Sequence, residues 1–206
     1  MANLTCPPTF SSIYFFCKFP IHQISHKKYI DIIEHLQYPI GKYAAPNIID
    51  EPLREEWLQD IQTLPQQISD QLDQMTPQHL ATPYRPGGWT GHQLVHHLAD
   101  SHMNCLIRFK LALTEDNPTI KPYEEGAWAN LSDTKEASVE TSLKILEGVH
   151  ARWTILLKHF ATEDWTRTFF HPESQQTTRL DVALGAYSWH GRHHLAHLKL
   201  CVGHSQ

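Results

Sequence analysis

At 206 residues the chain is most simply one domain, long enough to bury a sizeable core, and 17 Lys+Arg against 22 Asp+Glu leave a formal charge of −5. That balance offers no electrostatic basis for binding nucleic acid or an anionic membrane surface. No apolar run approaches the roughly 18 residues needed to cross a bilayer, and the compositional anomaly is histidine, 16 residues spread along the chain.

Residues 1–37 differ from the rest of the chain. Met1–Pro20 is rich in Pro, Ser and aromatic residues without a period, while Lys28–Leu36 carries the pattern of one short helix. The segment reads as an irregular, flexible N-terminal extension without chemistry of its own, ahead of a main domain over 38–206. The Ile13–Phe16 patch is short, Lys18 and Pro20 come directly after it, and no small-residue cleavage site is evident, so a secretory signal is not expected. Cys6, Cys17, Cys105 and Cys201 show no C-x-x-C spacing. Cys105 and Cys201 fall in apolar stripes and read as small core residues, which suits a reducing compartment. The expectation is a cytoplasmic protein.

Tyr38–Asn47 reads as an extended lead-in. The first long helix starts near Asp50, an N-cap with Pro52 in the first turn, and its apolar residues Leu53, Trp57, Ile61, Leu64, Ile68 and Leu72 repeat by threes and fours. Pro65 should kink or split it. Thr76–Pro86 is an irregular or short helical connection stopped by Pro86-Gly87-Gly88. Thr90 opens the second long helix, with Gln93 completing a capping box, and the helix runs to about Thr114. Next comes a long connection, Glu115–Ser132, of a length that often lines or covers a site. The third helix is expected from Asp133, boxed by Glu136, with Val139, Leu143, Leu146, His150, Trp153, Leu157 and Phe160 on its inner stripe. Thr162–Gln176 connects to a last helix from Thr178 to about Val202, its start aided by Asp181. Four long amphipathic helices, no clear strand alternation and one long crossover loop predict an all-α four-helix bundle.

The last helix carries Ser188-Trp189-His190-Gly191-Arg192-His193-His194-Leu195-Ala196-His197. Residues four apart stack on one helical face, so either His190/His194 or His193/His197 could converge on one metal ion. On the helical wheel Gly185, Ser188, Arg192 and Lys199 should face water. Ala183, His190, His194 and Cys201 lie opposite them, with His193 and His197 on the flank, so His190 and His194 are the inward pair. A solvated histidine-rich surface is the bland alternative. Two imidazoles in mid-stripe fit it poorly, because burying unpartnered polar rings costs a few kcal/mol. A third ligand must come from a facing helix. On the second helix periodicity favours His102 as the inward histidine, while His97, Ser101, Asn104 and Arg108 form a polar ridge at the edge of the stripe, either a pocket wall or a solvated face.

The run Tyr84-Arg85-Pro86-Gly87-Gly88-Trp89-Thr90, followed by Val95-His96-His97-Leu98-Ala99-Asp100-Ser101-His102-Met103-Asn104, closely resembles the YfiT-like branch of the DinB superfamily. Tyr38-Pro39-Ile40-Gly41, Phe170-His171-Pro172-Glu173 and Trp189-His190-x-x-x-His194 share that resemblance, which spans about Tyr38 to Leu200 and leaves the N-terminal arm outside. It implies a metal-dependent hydrolase, or, as in related members, a bacillithiol S-transferase; it also implies a bundle that is commonly a homodimer, and a metal held by three histidines. Carried over by motif, those ligands are His97, His190 and His194, with Ser101, Asn104 and Arg108 beside them as pocket residues.

Three neutral imidazoles leave coordination positions open on a divalent ion, the arrangement of a catalytic site. Such an ion activates water for hydrolysis of a small-molecule substrate, or stabilises the thiolate of a low-molecular-weight thiol for transfer to an electrophile. A non-catalytic bundle stabilised by its metal is the reading from another class. Ligand type and availability put zinc first and nickel next. Arg108, with Asn104, could hold a substrate carboxylate, whereas Asp100 reads as solvent-facing and no general base is identifiable.

Overall fold

The computed structural model describes residues 26–203, so residues 1–25 of the N-terminal extension, with Cys6, Cys17 and the Ile13–Phe16 patch, lie outside the described residues. A short helix, α1 (His26–Gln37), precedes the extended lead-in. Asp50 then caps α2 (Glu51–Leu72), its carboxylate accepting from the Leu53 N–H at 3.1 Å. Of the kink or split expected at Pro65, the split does not occur: the helix runs unbroken through it. A proline at 65 removes the N–H that would bond the Ile61 carbonyl. A ring nitrogen of His150 bonds that carbonyl instead, so the acceptor is not orphaned.

Thr76 and His79 form a reciprocal capping box on the short α3 (Pro77–Ala81). Thr90 and Gln93 do the same for α4 (Gly91–Thr114), as their spacing predicts. The long connection holds a single turn, α5 (Glu125–Trp128). The helix expected from Asp133 is two helices, α6 (Ser132–Glu136) and α7 (Val139–Lys158), because Ala137 and Ser138 are extended between them. The connection after α7 contains a hairpin that the sequence pattern did not reveal, β1 (Thr168–His171) paired antiparallel with β2 (Gln176–Arg179). Four-residue strands are too short to show a convincing alternation. Thr178 is paired with Phe169 in that hairpin, so the last helix, α8 (Leu180–Gly203), starts two residues later than expected. Asp181 accepts from the Val182 N–H at 2.7 Å and pairs with Arg179.

The long helices α2, α4, α7 and α8 form a four-helix bundle in which α2 and α4 each pack mainly against α7 and α8. The crossover is tied down: the Ile120 N–H bonds the Phe170 carbonyl at 3.0 Å and the Phe170 N–H bonds the Pro118 carbonyl at 2.9 Å. Cys105 and Cys201 are both fully buried in the core, as their stripes predict.

Helix α8 departs from its wheel. Arg192 and Lys199 are exposed, but Gly185 and Ser188 are buried against α2. A Cβ on Gly185 would stand 2.7 Å from the Trp57 ring, and one on Gly191 would stand 2.6 Å from a Leu64 methyl carbon. Glycine here permits a close helix–helix approach. The Ser188 hydroxyl donates to the Asp60 carboxylate at 2.5 Å. The face assigned to water is thus partly a contact with α2, because a single-helix wheel cannot register a neighbour that packs on small residues. Among the described residues no helix is long and apolar enough to cross a membrane.

Candidate metal centre

Neighbouring helices α4 and α8 bring His97 against His190 and His194, which sit one turn apart on α8. The Nε2 atoms of His97 and His190 are 3.1 Å apart, the His190 and His194 ring centroids are 4.5 Å apart, and those of His97 and His194 are 4.9 Å apart. One ring nitrogen from each of the three lies within 4.8 Å of the others. Two imidazole nitrogens on one tetrahedral zinc, each about 2.0–2.1 Å from it, stand about 3.3 Å apart. The donor set therefore fits a divalent cation in spacing and in kind.

Electrostatics agree. Burial pushes the His97 imidazole down to about 4, with His193 adding to the effect. Burial likewise holds His190 and His194 well below the ordinary histidine range, reinforced by His97 at His190 and by His190 and His97 at His194. At neutral pH these rings are uncharged and carry a lone pair each, the form a metal requires.

The flanking histidines are not solvated. His193 and His197 are buried, under cover that comes from distant segments: the Tyr38 ring lies 6.0 Å from His193, and Tyr84 stacks on His197 at 3.7 Å. His193, His194 and His197 also bring one ring nitrogen each within 4.8 Å of one another. His102 is fully buried, as periodicity predicts, but it stands behind the cluster. Its Nδ1 is 2.8 Å from His150 Nε2, and its Nε2 is 3.2 Å from His190 Nδ1.

A cavity of about 490 Å³ lined by Ser101, Arg108, Tyr123, His171 and Tyr187, among others, meets the cluster at His190. A second, of about 320 Å³, is lined by Trp89, His97, His194 and His197. Both share Glu125, Trp189 and His190 in their walls. Ser101 and Arg108 thus line the larger cavity, whereas Asn104 turns its carboxamide back to donate to the Asp100 carbonyl at 2.9 Å. Asp100 itself is half-buried rather than openly solvated, and burial, with Asp133 nearby, lifts its carboxyl to about 6.

Several cavity residues escaped the sequence reading. Glu125 comes from the long crossover, whose length was the only signal, and its carboxyl is held above the usual range by burial, then by Glu173 and Glu124. His171 lies in the Phe170–Glu173 run that carried the resemblance without a role. Its Nδ1 is buried without a hydrogen-bond partner. Tyr187, on α8, accepts from the Ser101 hydroxyl at 3.4 Å.

A helical bundle that gathers neutral imidazoles from two helices at the wall of a cavity defines a candidate metal-dependent enzyme. The chain belongs to the DinB superfamily, whose profile matches residues 60–198. It is 51% identical over 163 residues to a protein of Bacillus cereus (strain ATCC 10987 / NRS 248), covering 79% of this chain and 93% of that protein. It is 46% identical over 164 residues to YfiT of Bacillus subtilis (strain 168), covering 80% and 92%. Both relatives carry the name "Putative metal-dependent hydrolase". Among solved structures, YfiT from Bacillus subtilis, described as having an unusual four-helix bundle topology, superposes with a TM-score of 0.80 at 44% identity, over 82% of this chain and 97% of that one. A mycothiol-dependent maleylpyruvate isomerase shares the fold at a TM-score of 0.57 and 17% identity, over 70% of this chain and 60% of that one.

Proposed function

We propose that the protein is a metal-dependent hydrolase of a small-molecule substrate, with His97, His190 and His194 as the ligands of one divalent cation. The observation that carries this reading is the convergence of three neutral ring nitrogens, His97 Nε2 and His190 Nε2 only 3.1 Å apart, at a wall open to two cavities. A cation bound there supplies Lewis acidity and activates water. The chain's own residues do the rest. Glu125, on the wall common to both cavities, accepts a proton from the attacking water. Its raised affinity for protons brings it closer to the working range of a general base. Arg108 orients a carboxylate or carbonyl of the substrate in the larger cavity, and Ser101 and Tyr187 line the space beside it. All-imidazole ligation suits zinc first and nickel next, and the working unit in this reading is a homodimer.

Elemental analysis of untagged protein tests the ligand set. Near-stoichiometric metal is expected, lost in His97→Ala, His190→Ala and His194→Ala alike. Retention in all three variants would overturn it. A panel of esters and amides then tests the reaction, and Glu125→Gln should lower kcat while leaving metal content unchanged.

Transfer of a low-molecular-weight thiol is the second reading. The larger cavity sets Arg108 against Glu124, Glu125 and Glu173, a mixed lining suited to a ligand that carries both a carboxylate and cationic or hydroxyl groups. Metal-loaded protein given a thiol and an epoxide or chloro electrophile yields an S-conjugate under this reading, and turnover of esters without thiol under the first.

A further inference from the structure

We propose that two buried chains of imidazoles, each anchored on a backbone carbonyl, set the tautomers of His190 and His194 so that Nε2 of each presents its lone pair to the cation. This rests on the ligand assignment above and makes His102, His150 and His197 positioning residues.

The hydrogen-bonding capacity of each atom fixes the direction of the first chain. A carbonyl oxygen only accepts. The Ile61 carbonyl is bonded by His150 Nδ1, so that nitrogen carries the hydrogen, and in a neutral ring Nε2 is then the acceptor. His150 is neutral, since burial pushes it down to about 4. His102 Nδ1, 2.8 Å away, must therefore donate to His150 Nε2. That leaves His102 Nε2 as the acceptor for His190 Nδ1 at 3.2 Å. His190 then has its lone pair on Nε2, the atom facing His97.

The second chain starts from another part of the fold and ends the same way. The Gln37 carbonyl accepts from His197 Nε2 at 3.2 Å, so His197 Nδ1 is the acceptor for His194 Nδ1 at 3.3 Å. His194 Nε2 is left with its lone pair. In both chains every N–H points away from the cation site toward a carbonyl. Reversing either would set a lone pair against a carbonyl oxygen and an N–H against the cation, two faults at once. The first chain also has an origin in the sequence: Pro65 lacks the N–H that would bond Ile61 within the helix, which frees that carbonyl for His150.

The second histidine cluster is constrained by the same bonds. His194 Nδ1 and His197 Nε2 are committed as donors, so His193, His194 and His197 hold no second ion while His194 serves the first. Hydrogen bonds from the far nitrogen of a ligating imidazole fix its orientation and raise its basicity, and losing such a partner typically costs about 10–100-fold in metal affinity.

The test is nitrogen-15 NMR of the imidazoles in the full-length protein, metal-free and zinc-loaded, with zinc affinities of variants. Expected are Nδ1–H tautomers at His102, His150, His190 and His194, and Nε2–H at His197, already present without metal. His102→Leu should weaken zinc binding about 10–100-fold, whereas His102→Gln, which can still accept and donate, should restore most of it. His197→Phe keeps the stack on Tyr84 but loses the acceptor, and should weaken zinc binding in the same way if His102→Leu fails to fold. An Nε2–H tautomer at His190 or His194 in the metal-free protein, or unchanged affinity in His197→Phe, would overturn the proposal. Expected tautomers in a protein that binds no metal would sink the ligand assignment and leave the chains standing. Stoichiometric zinc with reversed tautomers would do the opposite.

Discussion

Toward one end of the bundle Trp57, Ile61, Phe109, Trp153 and Leu184 pack into one apolar cluster, and toward the other Leu64, Ile68, Leu94, Leu98 and Leu198 pack into a second. Between them runs a belt of imidazoles. His102 falls between Leu98 and Cys105 on α4, His150 between Leu146 and Trp153 on α7, and His190 between Leu184 and Leu195 on α8. The apolar ends need only volume and shape, and dispersion forces are indifferent to direction. Every ring in the belt must find a donor or acceptor of the right sense, because a buried polar group left unmatched costs about 1–3 kcal/mol. Stability therefore resides at the ends, and direction resides in the middle.

The bluntest way to separate the two is to hollow an end. Trp153, fully buried, should lose about 3–5 kcal/mol of folding stability on Trp153→Ala, read by urea unfolding. Zinc stoichiometry in the fraction that remains folded should persist, and its loss would show that end and belt are not separable. Acid attacks the belt instead. An unfolded His150 takes up a proton below about 6.5, but the folded ring does so only near 4, so between those values the unfolded state binds more protons. Its contribution, on the order of 3 kcal/mol, is intact above pH 6.5 and is lost progressively as pH falls toward 4. Urea midpoints of the metal-free protein that stay level from pH 7 to 4.5 would contradict this.

A milder intervention tests the close approach of α2 and α8. Gly185→Ala drives a methyl into the Trp57 ring and should cost about 1–3 kcal/mol; a neutral result by thermal unfolding would mean the contact yields. The smallest effect is the sharpest probe of the belt. Pro65→Ala restores an N–H that shares the Ile61 carbonyl with His150. A shifted His150 Nδ1 proton resonance with zinc stoichiometry unchanged is expected, and an unmoved resonance would show that Pro65 has no part in freeing that carbonyl.

Much of this architecture was legible in the order of residues alone. The threes and fours of Leu53 to Leu72, the Thr90/Gln93 box and the apolar stripe of α7 are local signals, and a helix is a local object whose hydrogen bonds close within one turn. The same holds for His190 and His194, since a spacing of four places two rings on one face whatever surrounds them. His97 became preferable to His102 through its motif, because periodicity reports which side is buried and not which neighbour waits there. His102 is indeed the more deeply buried, and it bonds to His190 from behind.

What only the tertiary structure decided are the contacts between segments far apart in the chain. Glu125 reaches the site because the crossover is tied to β1, and His197 is buried because Tyr84 and the end of α1 cover it. Ser188 and Gly185 face α2 rather than water. Short-range periodicity selects the faces that must be buried. Which partner each face meets, and therefore which way each imidazole proton points, depends on pairings across 40 to 160 residues, such as His102 with His150 and His197 with Gln37.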